Sequence, residues 1–183
     1  MFRVKNSVSN AISLPRLLYI LRTAPCTGSN ELIVFDEVVK STLSKALNIV
    51  MDDLTWSQAS LPVRWGGLGI RSAVSLAPST YLASAAGATI LLSEILPVRL
   101  HDSSDPSVTV AFDAWSAQVH PTALPPDDSS RVIQRRWDES CCKQKVSTLL
   151  SEAVDIDSKA RLLACMNESA GSWLNALPDL SLG

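Results

Sequence analysis

The stretch Asn30-Glu-Leu-Ile-Val-Phe-Asp-Glu-Val-Val-Lys-Ser-Thr-Leu-Ser-Lys-Ala-Leu-Asn-Ile49 places Leu32, Phe35, Val39, Leu43 and Ala46 at steps of three and four residues. That spacing brings the five side chains to one side of an α-helix. Before it, beyond a turn containing Gly28 and Ser29, a second amphipathic pattern covers about Leu14 to Ala24. Ser13 is placed to cap it, Pro15 sits in its first turn where a missing N–H does no harm, and Pro25 ends it. Leu14, Leu17, Leu18 and Leu21 form its apolar stripe, leaving Arg16 and Arg22 towards solvent or a ligand. Two adjacent helices of this kind set the expectation of an all-α fold.

Downstream, a short helix is predicted over Asp53 to Ser60, because Asp52 or Asp53 can accept the exposed amides at its start and Pro62 terminates it. The run Leu61-Pro-Val-Arg-Trp-Gly-Gly-Leu-Gly-Ile-Arg71 is the least helical part of the chain. Gly66, Gly67 and Gly69 call for a tight turn or a close backbone approach, a short Gly-rich turn or hairpin in which Val63 and Ile70 pair as extended arms. A long helical pattern then reaches about Leu96, interrupted, if anywhere, near Pro78. Residues 97–130 alternate one helical segment, Val108 to Val119, with loop signals such as Asp102-Ser-Ser-Asp-Pro106 and Pro125-Pro-Asp-Asp-Ser-Ser130. The predicted boundary falls there, giving a helical bundle over 1–96 and a helical connector over 97–183. A helix over Ser130 to Ala153 keeps Ile133, Trp137, Cys141, Val146, Leu149, Leu150 and Ala153 on one side. Asp155 or Asp157 caps a last helix running through Leu163, Met166, Trp173 and Leu174.

With 183 residues, 46% hydrophobic and 19% charged, and a formal net charge of −2, the chain is neither a disordered tail nor a collagen-like or strongly basic nucleic-acid arm. Charge is unevenly spread. Residues 1–71 hold 8 basic and 5 acidic side chains, whereas residues 72–183 hold 8 basic and 13 acidic, so the front half is the electrostatic candidate for meeting a phosphate backbone. Arg135 and Arg136, in the acidic half, are expected to matter little to such binding.

Cys26, Cys141, Cys142 and Cys165 do not suit the compact loops of a secreted disulfide scaffold, which favours a reducing, intracellular compartment, cytoplasmic or nuclear. His101 and His120 are nineteen residues apart with no cysteine near them, so the short ligand pairs of a zinc site are missing, and no cofactor is called for. Residues 1–30 are basic, acid-free and serine-bearing, the composition of an organellar transit peptide, but the packed helix pattern within them argues for structure instead. Residues 72–93 carry no charge; their many serines dilute them below a membrane span and favour a buried helix whose small residues let another helix approach closely.

Met51-Asp52-Asp53-Leu54 invites comparison with the aromatic-x-Asp-Asp hairpin that binds catalytic metal in polymerases copying RNA. Val50 stands where the aromatic would be, no returning strand follows, and the only upstream aspartate, Asp36, lies within a helical pattern; an N-cap explains the pair. Trp65-Gly-Gly-Leu-Gly-Ile70 has neither the dinucleotide fingerprint nor the Gly-Lys-Ser/Thr ending of a phosphate loop, and no Gly-x-Ser-x-Gly elbow is present. Arg64, Trp65 and Arg71 could hold phosphates and stack on a base or sugar; the plainer reading is a core-anchoring indole with surface arginines.

At Ile12-Ser-Leu-Pro-Arg-Leu-Leu-Tyr-Ile-Leu-Arg-Thr-Ala-Pro-Cys26, and at Asp52-Asp-Leu-Thr-Trp-Ser-Gln-Ala-Ser-Leu-Pro-Val-Arg-Trp-Gly-Gly-Leu-Gly-Ile-Arg-Ser-Ala73, the chain resembles reverse transcriptase-like proteins of non-LTR retrotransposons. The likeness spans about residues 8–92, with a weaker echo at Gly171-Ser-Trp-Leu-Asn-Ala-Leu-Pro178. It implies the helical thumb and the connection after it, part of a longer protein whose palm would lie before Met1 and whose nuclease region beyond Gly183. A thumb grips the primer-template backbone, so the resemblance implies Arg16, Tyr19, Arg22, Arg64, Trp65 and Arg71 as nucleic-acid contacts without catalysis. RNA or DNA would be met through the front half, with no membrane partner. The rival expectation is a helical protein–protein interaction module whose arginines merely solubilise it; an organelle-targeted helical protein is a third.

Overall fold

The computed structural model of the chain describes residues 16–95, 105–126, 133–167 and 169–172. Among them the fold is all-α. Helix α1 covers residues 16–23, α2 Asn30–Leu47, α3 Asp53–Ala59, α4 Ala73–Ile95, α5 Pro106–Ser116, α6 Ile133–Glu152 and α7 Ile156–Cys165, with a 3-10 turn at Val63–Trp65 and no strand among the described residues.

The helices packing through the first compact unit, comprising the described residues of Met1–Val50 and Ser72–Gln144, do so around two apolar clusters. Leu21 of α1, Leu32 of α2 and Ala73, Leu76 and Ala77 of α4 form one, flanked by Leu17, Leu18, Cys26 and Phe35. Leu82 and Ala83 of α4 join Ala111 and Trp115 of α5, Val119, and Trp137 and Cys141 of α6 in the other. Trp115 and Trp137 meet edge to face with ring centroids 4.7 Å apart, and Trp115 Nε1 donates to the Trp137 carbonyl at 3.1 Å, so the buried indole gains a partner as well as area. Trp137 is buried, as its place on the apolar stripe predicts.

Asp36 sets the start of α4. It lies between Leu32 and Leu43 on the inner face of α2, only 7% exposed, and its carboxylate accepts from Ser72 Oγ at 2.6 Å, Ala73 N at 2.7 Å and Val74 N at 3.2 Å. Ser72 Oγ in turn accepts from Ser75 N at 3.2 Å. A helix start needs acceptors for its first amides, and here a side chain thirty-six residues upstream supplies them.

The second unit comprises the described residues of Met51–Arg71 and Lys145–Gly183. Asp52 caps α3, accepting from Thr55 N at 2.7 Å, the role its sequence position predicts. Asp155 caps α7 in the same way, accepting from Ser158 N at 2.6 Å and Ser158 Oγ at 2.8 Å. The sequence boundary near residue 97 falls between α4 and α5, which both belong to the first unit.

Four expectations change. The Gly-rich segment does not form a hairpin: Trp65 N donates to Pro62 O, Gly66 N to Val63 O and Gly69 N to Leu61 O, so local turns take the donors that strand arms would have used. Helix α4 runs through Pro78 without a break. Proline in a helix interior costs about 3 kcal/mol, and the full burial of Pro78 with Ser79 and Thr80, in a helix that packs on both α2 and α5, works against that cost. Beyond Ala83, however, the described side chains of α4 are half-buried or exposed, and a Cβ built at Gly87 meets nothing within 4 Å, so the close approach that small residues allow is used at Ala73, Ala77 and Ala83 but not at Gly87. Finally, α7 stops at Cys165, because Asn167 Oδ1 accepts from Ser169 N and Oγ and turns the chain away. Trp173 and Leu174 lie outside the described residues.

Candidate nucleic-acid interface

The six sequence-derived contacts fall into two groups of three. Arg16, Tyr19 and Arg22 belong to α1 in the first unit; Arg64, Trp65 and Arg71 belong to the second unit.

On α1, successive residues turn by about 100°, so Arg16, Tyr19 and Arg22 at three-residue steps occupy roughly one third of the circumference. Leu17, Leu18 and Leu21 occupy the rest, turned into the core beside α2 and α4. Burying those leucines fixes the rotation of the helix, and the rotation exposes Arg16, Tyr19 and Arg22; Tyr19 is 68% exposed. No acidic residue lies on α1. Arg22 sits in the last turn, where a positive charge also suits the helix dipole. Its Nη2 donates to Oε1 of Gln134 in the first turn of α6 at 2.5 Å, and Gln134 Nε2 donates onward to Thr80 Oγ1 at 3.3 Å. The guanidinium is thereby aimed by a side chain 112 residues away.

The second group is framed by glycine. Gly66 and Gly69 have φ of +80° and +73°, the left-handed region that side chains disfavour. At Gly67 a Cβ would stand 2.1 Å from the Leu61 carbonyl oxygen and 2.6 Å from that of Gln58, so the backbone itself occupies the space. This close approach lets Leu68 N reach Ala59 O at 3.1 Å and holds the turn beside α3. Arg64 projects from it and is exposed, while Trp65 and Arg71 are half-buried. The Trp65 Nε1 is buried and meets no acceptor among the described residues. With that edge of the indole turned inward, Trp65 serves packing before it can serve stacking.

Burial raises the Cys26 thiol above its ordinary range, a backbone hydrogen bond opposing in part, so at neutral pH it stays protonated and is a poor nucleophile. Ser29 Oγ donates to Glu31 at 2.6 Å and, with the Glu31 backbone amide, lowers that carboxyl. Among the described residues, no three His, Cys, Asp or Glu side chains converge as a metal cluster, and no helix is long and apolar enough to cross a membrane.

Sequence reasoning missed two side chains that position these elements, Asp36 at the start of α4 and Gln134 beside Arg22. Asp36 left a signal, an acid on the Leu32/Leu43 stripe; Gln134 left none, because its partners are remote in the chain. No protein family, no curated protein and no solved structure matches the chain.

Proposed function

We propose that the chain is a non-catalytic, thumb-like part of a retroelement reverse transcriptase that holds nucleic acid weakly and without sequence preference. The observation that carries this reading is the outer face of α1, where Arg16, Tyr19 and Arg22 stand exposed with no acid on the helix. The resemblance over about residues 8–92 and the basic excess of residues 1–71 support it. Contacts would go to phosphates, since guanidinium groups pair with phosphate oxygens and the site offers no projecting element to enter a groove.

Few counterions can be released by so small an excess of charge. Neutralising two or three phosphates gives a log–log salt slope of about −2 to −3 on duplex. Fluorescence anisotropy with a labelled primer-template duplex at low salt tests this. Replacing Arg16 and Arg22 together with Ala should flatten the slope, and so should replacing Arg64 and Arg71; equal binding by parent and both double variants, or binding by none, removes the reading. Primer extension with Mg²⁺ or Mn²⁺ should give no product, because Asp52 serves as a helix cap. Extension abolished by Asp52→Asn would contradict it.

A second reading, a protein-interaction module, is favoured by exposed Ile33, Val34 and Val38 on the outer face of α2 and by Leu91, Leu92 and Ile95 at the end of α4. Val34 and Val38 stand one helical turn apart, and exposed apolar surface that joins up marks association sites. Co-sedimentation that is lost in an Ile33→Ser, Val34→Ser, Val38→Ser variant, with no nucleic-acid binding by the parent, would choose it.

A further inference from the structure

We infer that the outer face of α1 and the first turn of α6 form one site for unpaired nucleic acid, with Tyr19 as the stacking surface and Arg16, Arg22 and Arg135 on the backbone. This rests on the nucleic-acid reading above and specifies the ligand as a single strand.

The Arg22–Gln134 hydrogen bond joins the two helices across 112 residues of sequence. Arg135 is the next residue, its Cα about 3.8 Å from that of Gln134, and it is exposed. Its place in the acidic half of the sequence is therefore no guide to its surroundings in space. Arg16 and Arg22 are about 9 Å apart along the α1 axis, within the ~10 Å over which charges act together at 0.1 M salt. Two acids lie about one turn from Arg135 on α6: Glu139 is drawn to Lys143 at 3.4 Å, and Asp138, half-buried, accepts from Cys142 Sγ at 3.8 Å.

Between the arginines stands Tyr19, 68% exposed. An aromatic ring held outward by a rotation fixed in the core has its face open to water. Every base has a π-face, and stacking on such a ring is indifferent to sequence, whereas the bases of a duplex are already stacked on one another. Phosphates of either form would meet the arginines, but only an unpaired base can use the tyrosine. The half-buried Trp65, with its Nε1 turned inward, offers no equivalent surface.

The test is anisotropy at low salt with two probes, a short labelled oligothymidylate and a labelled duplex of the same length. The single strand should bind more tightly. Tyr19→Ala should weaken it by about tenfold while leaving duplex binding within about twofold, and Tyr19→Phe should restore it, given stacking energies of about 1–3 kcal/mol per base. Arg135→Ala should reduce the salt slope on the single strand by about 0.7, the share of one phosphate contact. Circular dichroism of each variant, matching the parent, shows that the fold is intact. Duplex bound as tightly as the single strand, with Tyr19→Ala neutral, overturns the inference and leaves phosphate binding standing. A neutral Arg135→Ala overturns the extension onto α6. Binding of neither probe removes both this site and the reading beneath it.

Discussion

Removing the Asp36 carboxylate should cost the first unit more than any other single polar change. In Asp36→Ala, Ser72 Oγ, Ala73 N and Val74 N lose their shared acceptor at a buried position. Losing a side-chain cap costs about 1 kcal/mol, and each buried donor left without an acceptor costs about 1–3 kcal/mol. Because the three donors share one carboxylate the losses overlap, and we expect about 3–5 kcal/mol against the 5–15 kcal/mol typical of whole domains. In a chain of this size 1 kcal/mol shifts the melting midpoint by about 2–4 °C, so the shift should be near 10 °C. Asp36→Asn keeps one oxygen for Ala73 N but turns an NH₂ towards the other donors, and should lose about half as much. Thermal and urea unfolding followed by circular dichroism and tryptophan fluorescence measure both variants. A midpoint within about 2 °C of the parent for Asp36→Ala would refute the view that α2 supplies the cap of α4.

Gly67→Ala should unsettle the second unit, since its Cβ would stand 2.1 Å from the Leu61 carbonyl oxygen; an unchanged melting curve would show that the turn can open at no cost. Trp115→Ala removes a 1% exposed indole and its T-shaped partner contact, and should cost about 3–5 kcal/mol by urea unfolding. Asp105, which caps α5 by accepting from Ser107 N at 2.8 Å, and the α7 cap Asp155 are held below the usual carboxylate range, chiefly by the backbone amides of Ser107 and Ser158. Their contribution is therefore present above the ordinary carboxylate value of about 3.9 and is lost as pH falls through their lower folded values, so helical ellipticity should hold from neutral pH to about 5 and decline below about 4. Alkylation of the native protein should modify exposed Cys165 first, with Cys141 and Cys142 protected until unfolding.

Helix positions were legible wherever apolar spacing and a terminator coincided. Leu17, Leu18 and Leu21 of the α1 stripe and the Asp52 and Asp155 caps needed only neighbours within one turn to be recognised, and the structure places them so; Leu14 lies outside the described residues. What failed was decided by distant atoms. Pro78 reads as a break until tertiary packing buries it, and Val63 and Ile70 read as strand arms until Pro62 O and Leu61 O claim the turn's amides. The pattern Leu32, Phe35, Val39, Leu43, Ala46 is one residue too generous, since Ala46 is exposed, and it passes over Asp36, whose polarity hides an inward position. For the candidate interface, α1's exposed face follows from its own periodicity. The link to α6 does not, because no spacing in the sequence relates Arg22 to Gln134.

The first unit is assembled from chain on both sides of Met51–Arg71, and this has a consequence for biosynthesis. At about 5–20 residues per second, roughly 5–20 s separate the emergence of Leu47 from that of Trp137. For the last 54 residues of that interval, about 3–11 s, Leu82 and Ala83 have been made but Trp115 and Trp137, which cover them, have not both arrived. Contacts of such long sequence separation also slow folding once the chain is complete. The nascent protein thus carries an uncovered apolar surface for seconds, and its yield in a cell should rise with chaperones that shield such surfaces during translation.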